Sequence, residues 1–139
     1  MTGMKSGVVF GDDYKALLAA CKGGAYALPA VNVVGTNSVN AVLEAAARNK
    51  SDIIVQLSNG GAQFFAGQGM ADGNTAKIMG AVAAAQHVHL LAEYYGVCVV
   101  LHTDHANRKL LPWIDGLIAE GERYYKANGK PLYTSHMLD

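Results

Sequence analysis

The sequence has no excess of charge of either sign: 11 basic and 11 acidic side chains give a formal net charge of zero over 139 residues. A balanced chain has no electrostatic footprint for nucleic acid or an anionic membrane, although a local phosphate site needs only a few donors. Cysteine is nearly absent. Cys21 and Cys98 stand far apart with no CxxC spacing, which excludes a disulfide framework or a thiolate zinc knuckle and suits a reducing compartment. Long apolar runs are missing as well. Nothing reaches the roughly 18 apolar residues of a membrane span. The first ten residues offer only Val8-Val9-Phe10, too short for a signal-peptide core. The expectation is a soluble, cytoplasmic chain with neither nucleic acid nor membrane as a partner.

Apolar residues make up 51% of the chain and charged residues 16%, enough apolar material for a sizeable core. No linker or composition shift divides the chain, so residues 1–139 are expected to form one domain. Asp12-Asp13 open a helical pattern over Tyr14–Cys21 that Gly23-Gly24 ends, as the helix dipole and the left-handed C-terminal turn favour. Tyr26–Val34 reads as a buried strand, and Thr36, Asn37 and Ser38 are N-cap candidates for a helix through Ala46. Ile53–Leu57 is a second strand. The glycine-rich stretch Asn59–Asn74 is expected to be irregular. A long helix follows over Ala76–Tyr95, then a strand over Val97–Leu101, a helix over Leu111–Ala127 and a strand over Pro131–Met137. The order is α-β-α-β-α-β-α-β. Near-continuous apolar strands between amphipathic helices imply a parallel sheet covered on its faces. An open doubly wound sheet and part of a (β/α)₈ barrel both satisfy this pattern, and both put functional groups at the C-terminal ends of strands.

Those ends carry polar groups. The first strand gives Asn32, the second Ser58-Asn59-Gly60-Gly61, the third His102-Thr103-Asp104-His105, and the fourth Ser135-His136 with Asp139. On an ideal strand Asp104 and His105 point to opposite faces; at a strand-to-loop transition both can approach one site. Imidazole is a good zinc ligand and a nearby carboxylate can act as acid or base. The competing reading is a hydrogen-bonded loop with a helix-capping aspartate.

Other candidates carry less. His87 and His89 lie two apart on a helix, where their rings diverge by about 200°, so they read as packing or hydrogen-bonding residues. Asn59-Gly60-Gly61 with Gly67, Gly69 and Gly73 could cradle a phosphate, but no Walker A Gly-Lys-Ser/Thr follows and the GxGxxG spacing is absent. Cys98 reads as a core residue. Lys109 raises a Schiff-base possibility, against which its neighbour Arg108 and the start of a helix favour a surface lysine.

Taken together, Tyr-Ala-Leu-Pro-Ala-Val-Asn (26–32), Gln-Leu-Ser-Asn-Gly-Gly-Ala (56–62), Leu-His-Thr-Asp-His (101–105), Lys-Leu-Leu-Pro-Trp-Ile-Asp-Gly-Leu (109–117) and Ser-His-Met-Leu-Asp (135–139) resemble class II, zinc-dependent fructose-bisphosphate aldolases. The resemblance runs in unbroken order from about Gly11 to the last residue and is nearest to the longer, dimeric subgroup of enterobacteria and yeasts. It implies a (β/α)₈ barrel of which this chain holds the first half. It further implies reversible cleavage of fructose 1,6-bisphosphate to dihydroxyacetone phosphate and glyceraldehyde 3-phosphate, with a divalent metal, normally zinc, in place of a lysine Schiff base. A sugar bisphosphate is then the small-molecule partner, and a homodimer the assembly of the full-length protein.

By motif, the resemblance implies that His105 is a ligand of the catalytic zinc and Asp104 the acid/base at the substrate C4 hydroxyl. Ser58 contacts substrate, Asn32 orients it from the pocket wall, and Asp139 binds a second, non-catalytic metal. Gln86, Cys98 and Ala106-Asn107 depart from the family pattern without removing any of these groups. The remaining ligands belong to later strands, so the 139-residue chain alone is expected to be inactive. Two alternatives stand beside this reading: a non-catalytic half-barrel module that self-associates or pairs with a complementary chain, and a related aldolase acting on tagatose 1,6-bisphosphate.

Overall fold

A computed structural model describes residues 3–139. Among the described residues five strands and five helices follow one another, with α3 and α4 consecutive: β1 (Gly7–Val8), α1 (Gly11–Gly23), β2 (Ala30–Asn32), α2 (Thr36–Arg48), β3 (Ile53–Leu57), α3 (Asn59–Ala66), α4 (Gly73–Tyr95), β4 (Cys98–Ala106), α5 (Leu111–Asn128) and β5 (Ser135–Leu138). A single 3₁₀ turn, Arg108–Leu110, links β4 to α5. Every strand pairing is parallel. Strands β2, β3, β4 and β5 are successive neighbours, and β1 pairs with the opening residues of β4, on the side that β5 occupies further along.

The alternation of side chains along the strands sorts the core into two layers. Val55, Leu57, Val99 and Leu101 turn outward and pack with Leu43 of α2, Val88 of α4, and Trp113 and Leu117 of α5. Cys98 and Val100 face the other way, where Val9 and the fully buried Leu17 of α1 cover them and Ile54 packs alongside. The lower part of the inner face is therefore apolar and sealed by α1, whereas its upper part carries the polar residues. Helix α4 is mostly alanine and glycine on its buried side. A Cβ on Gly80 would lie 1.7 Å from the Ala62 carbonyl oxygen, which is why α3 and α4 can pack backbone to backbone.

Several segments differ from the sequence expectation. Gly7–Val8 forms a strand too short to leave a hydrophobic pattern. The first half of the glycine-rich stretch is helix α3, its N-terminus capped by Ser58, whose Oγ accepts the Gly61 amide at 3.0 Å. Strand β2 covers only three residues of the expected nine, because β3 offers partners only from Ile54 to Gln56. Upstream, the Tyr26 amide is tied back to the Cys21 carbonyl in the turn that ends α1. Strand β5 begins at Ser135 because Leu132 and Tyr133 are spent on the core: the Leu132 carbonyl faces His89, and the Tyr133 hydroxyl donates to the Ala81 carbonyl. Strand β4 runs on to Ala106, so His102-Thr103-Asp104-His105 lies within the strand and not at a transition to loop. The helix-capping role falls to Asn107, whose Oδ1 accepts the Lys109 amide.

Candidate functional site

The parallel register fixes which residues meet. Asn32 of β2 stands opposite Gln56 of β3, Gln56 opposite His102 of β4, and His102 opposite Ser135 of β5. Four polar side chains thus form one row across the inner face, and Asp104, two residues beyond His102, rises above it. The Gln56 amide donates to Asn32 Oδ1 at 2.8 Å, and Asn32 Nδ2 in turn donates to Asp104 Oδ2 at 3.1 Å. His102 Nδ1 and Ser135 Oγ are 2.8 Å apart.

Strand β4 breaks its register with β5 between Thr103 and Ala106. Such an irregularity lets successive side chains escape strict alternation, and Asp104 and His105 come together there. Asp104 Oδ1 accepts the His105 backbone amide at 2.9 Å and lies 3.4 Å from its Nε2. His105 Nδ1 is 3.3 Å from Asp139 Oδ1, and the Asp139 amide donates to the Ala106 carbonyl at 3.1 Å. An imidazole therefore sits between two carboxylates from adjacent strands, with 68% of its side chain exposed. Partial burial opposes the charge on Asp104. The Asn32 hydrogen bond, the His105 amide and ring, and Gln56 outweigh it and hold the carboxyl below the usual range. Asp104 is an ionised carboxylate at neutral pH, held in place by these bonds.

Of the residues singled out in the sequence, Asn32, Asp104, His105 and Asp139 form one connected cluster. Ser58 stands at the end of β3 with its hydroxyl engaged in the cap of α3; among the described residues no hydrogen bond links it to Asp104. Beside it the Asn59 Nδ2 is buried without a partner. Gln56 is the connecting residue that the sequence reading did not single out. Its signal was a lone amide inside Ile53-Ile54-Val55-Gln56-Leu57, 9% exposed in the fold.

The lesser candidates settle into structural roles. His87 Nε2 hydrogen-bonds Asn40 Oδ1 at 2.8 Å and His89 Nε2 the Leu132 carbonyl at 2.9 Å. Burial pushes the Cys98 thiol up to about 11, and Lys109 is exposed. Among the described residues no three His, Cys, Asp or Glu side chains are placed to hold a metal ion together. His105 and Asp139 are the correct donor types for zinc, but only as part of a set, since catalytic sites commonly provide three protein ligands. No helix among the described residues is long and apolar enough to cross a membrane.

Known proteins resemble the chain over nearly its whole length. The family model described as fructose-bisphosphate aldolase class-II matches residues 12–139. The chain is 57% identical over 137 residues to a fructose-bisphosphate aldolase of Edwardsiella ictaluri, and 55% identical over 138 residues to the fructose-bisphosphate aldolase class 2 of Escherichia coli K12. Each match covers 98% of this chain and 38% of the relative. Among solved structures, the crystal structure of fructose-bisphosphate aldolase from Campylobacter jejuni superposes with a TM-score of 0.93 at 54% identity, covering 97% of this chain and 38% of that one. The chain thus spans about two fifths of the length of the curated relatives it matches.

Proposed function

The chain belongs to the class II fructose-bisphosphate aldolase family, and we propose that residues 1–139 form one folding unit that supplies the acid/base and the first metal ligand of such an aldolase. In this reading β2 to β5 are four successive strands of a (β/α)₈ barrel whose other strands carry the rest of the site. The single observation behind it is the cluster of Asn32, Asp104, His105 and Asp139 above a polar row on the inner face of a parallel sheet.

The substrate is a ketose bisphosphate, fructose 1,6-bisphosphate. In the cleavage direction Asp104 takes the proton from the C4 hydroxyl as the C3–C4 bond breaks, and the C4 fragment leaves as an aldehyde. The lowered carboxyl fits this task, being charged and aimed before substrate arrives. Asn32 holds Asp104 through its amide nitrogen and orients substrate from the pocket wall. Ser58, one strand away, is placed to meet a distal polar group of the sugar. His105 is the first ligand of a divalent metal, zinc, and Asp139 belongs to a second, non-catalytic ion. When bound, the metal polarises the substrate ketone and stabilises the charge left on the three-carbon ketone fragment. The full-length protein acts in the cytoplasm as a homodimer.

The experiment is a graft. Residues 1–139 replace the matching segment of the Escherichia coli enzyme, and both the chimera and the isolated chain are assayed with fructose 1,6-bisphosphate. The chimera is expected to cleave the sugar with loss of activity on chelation, and the isolated chain to do nothing. An inactive chimera that is folded and metal-loaded contradicts the reading; so does zinc-dependent cleavage by the isolated chain.

A further inference from the structure

The Asp104–His105–Asp139 cluster joins two strands, yet backbone hydrogen bonding alone does not fix how those strands are aligned. A parallel ladder satisfies its amides in any register, and a slip of one residue exchanges the faces of every side chain. Strand β5 has four residues, and among the described residues β4 is its sole strand neighbour. Something else has to specify the alignment. Thr134 fixes the point of entry: its amide donates to the Leu101 carbonyl, and its hydroxyl accepts the Leu101 amide and donates to the Val9 carbonyl.

Beyond Thr134 two side-chain pairs follow in consecutive register positions, one on each face of the ladder. On the inner face His102 Nδ1 meets Ser135 Oγ at 2.8 Å; on the outer face Thr103 Oγ1 meets His136 Nδ1 at 2.8 Å. Each pair joins an imidazole to a hydroxyl, with the histidine on β4 in the first and on β5 in the second. Thr103 is fully buried, and the His136 ring lies 5.4 Å from the ring of the buried Tyr133. The register breaks immediately after these pairs and resumes at Ala106–Leu138, and within that gap stand Asp104 and His105.

We propose that the His102–Ser135 and Thr103–His136 pairs are positioning residues that lock the β4–β5 register, so that the irregular segment after them delivers His105 to Asp139. A slip of two residues toward the start of β4, which keeps the faces, would set Ser135 and His136 opposite Val100 and Leu101, and Met137 and Leu138 opposite His102 and Thr103, stranding four polar groups. The two pairs hold the alignment together, so losing either one loosens it.

This inference rests on the aldolase reading only for what the cluster does, not for the locking itself. The test uses the 139-residue chain with Thr103→Val, nearly isosteric but without the hydroxyl; Thr103→Ser, which restores it; and Ile114→Val, a core change in α5 that weakens the fold without touching β5. Backbone amide exchange over residues 135–138 and the nuclear Overhauser contact between Ala106 and Leu138 are measured by NMR. Thr103→Val is expected to speed β5 exchange about tenfold and lose the contact, with Thr103→Ser near the parent. An unchanged contact in Thr103→Val overturns the proposal, as does an equal loss in Ile114→Val. In the grafted enzyme, Thr103→Val should also weaken zinc binding about tenfold or more. If the grafted parent never binds zinc, the aldolase reading fails while the exchange result still decides the lock.

Discussion

Asp104 shows how far single residues could be read from sequence. Its neighbour His105 and the apolar run before it mark a strand end with ligand chemistry, and Asn32, 72 positions away, is its hydrogen-bond donor. What sequence could not give was the link through Gln56, because a polar residue in a buried strand only acquires meaning once the register aligns it with Asn32 and His102. The histidines also set a pH dependence. Burial lowers the pKa of His89, His102 and His136, the last to about 4. Each imidazole binds its proton more readily in the unfolded chain, so unfolding is favoured as pH falls from about 6.5 toward 4. His136 accounts for up to about 3 kcal/mol of that loss. Urea denaturation at stepped pH should show stability falling through this window, and His136→Gln should flatten the slope. A slope unchanged by His136→Gln would mean that the buried ring does not titrate in this range.

Among the elements, those with a clear apolar period or a firm stop were found: α2, β3, α5 and the long α4 stand close to where the pattern placed them. Helix α3 was not, because Gly60 and Gly61 weigh against helix in any local reading. It forms for tertiary reasons. Ser58 caps it, and a Cβ at Gly61 would stand 3.1 Å from Ser58 Oγ and 3.3 Å from the Val33 carbonyl. The same closeness governs its packing on α4 at Gly80. Gly80→Ala should cost about 3 kcal/mol, at the upper end for overpacking, because the obstacle is the Ala62 backbone and not a movable side chain. Gly121→Ala in α5, with nothing within 4 Å of the added carbon, should instead stabilise by about 0.5–1 kcal/mol. Thermal denaturation of the two variants checks the contrast. A mild effect at Gly80 would show that α3 and α4 can slide apart cheaply.

For the molecule as a whole, the alternation of apolar strands and helices determined a parallel sheet, but left an open sheet and a barrel sector equally good. The inner face separates them. Leu17 and Val9 close one end of that face and a polar row lines the other, an arrangement suited to a barrel with its site at the mouth. Among the described residues β2 pairs only with β3, and beside its outer edge lies an apolar groove of about 510 Å³ between Pro29, Val31 and the α2 face of Ala41, Val42 and Ala45. With the chain spanning 38% of its relatives' length, further strands and ligands are what the proposed site calls for. The proposed function assigns one role to these 139 residues alone, the proton exchange at Asp104. The most direct measurement is kcat and KM for fructose 1,6-bisphosphate in the grafted enzyme with Asp104→Asn, which keeps the shape and removes the base. A fall in kcat of about 10²–10⁴ with KM little changed is the expected result; a kcat equal to that of the parent graft would contradict the assignment of Asp104.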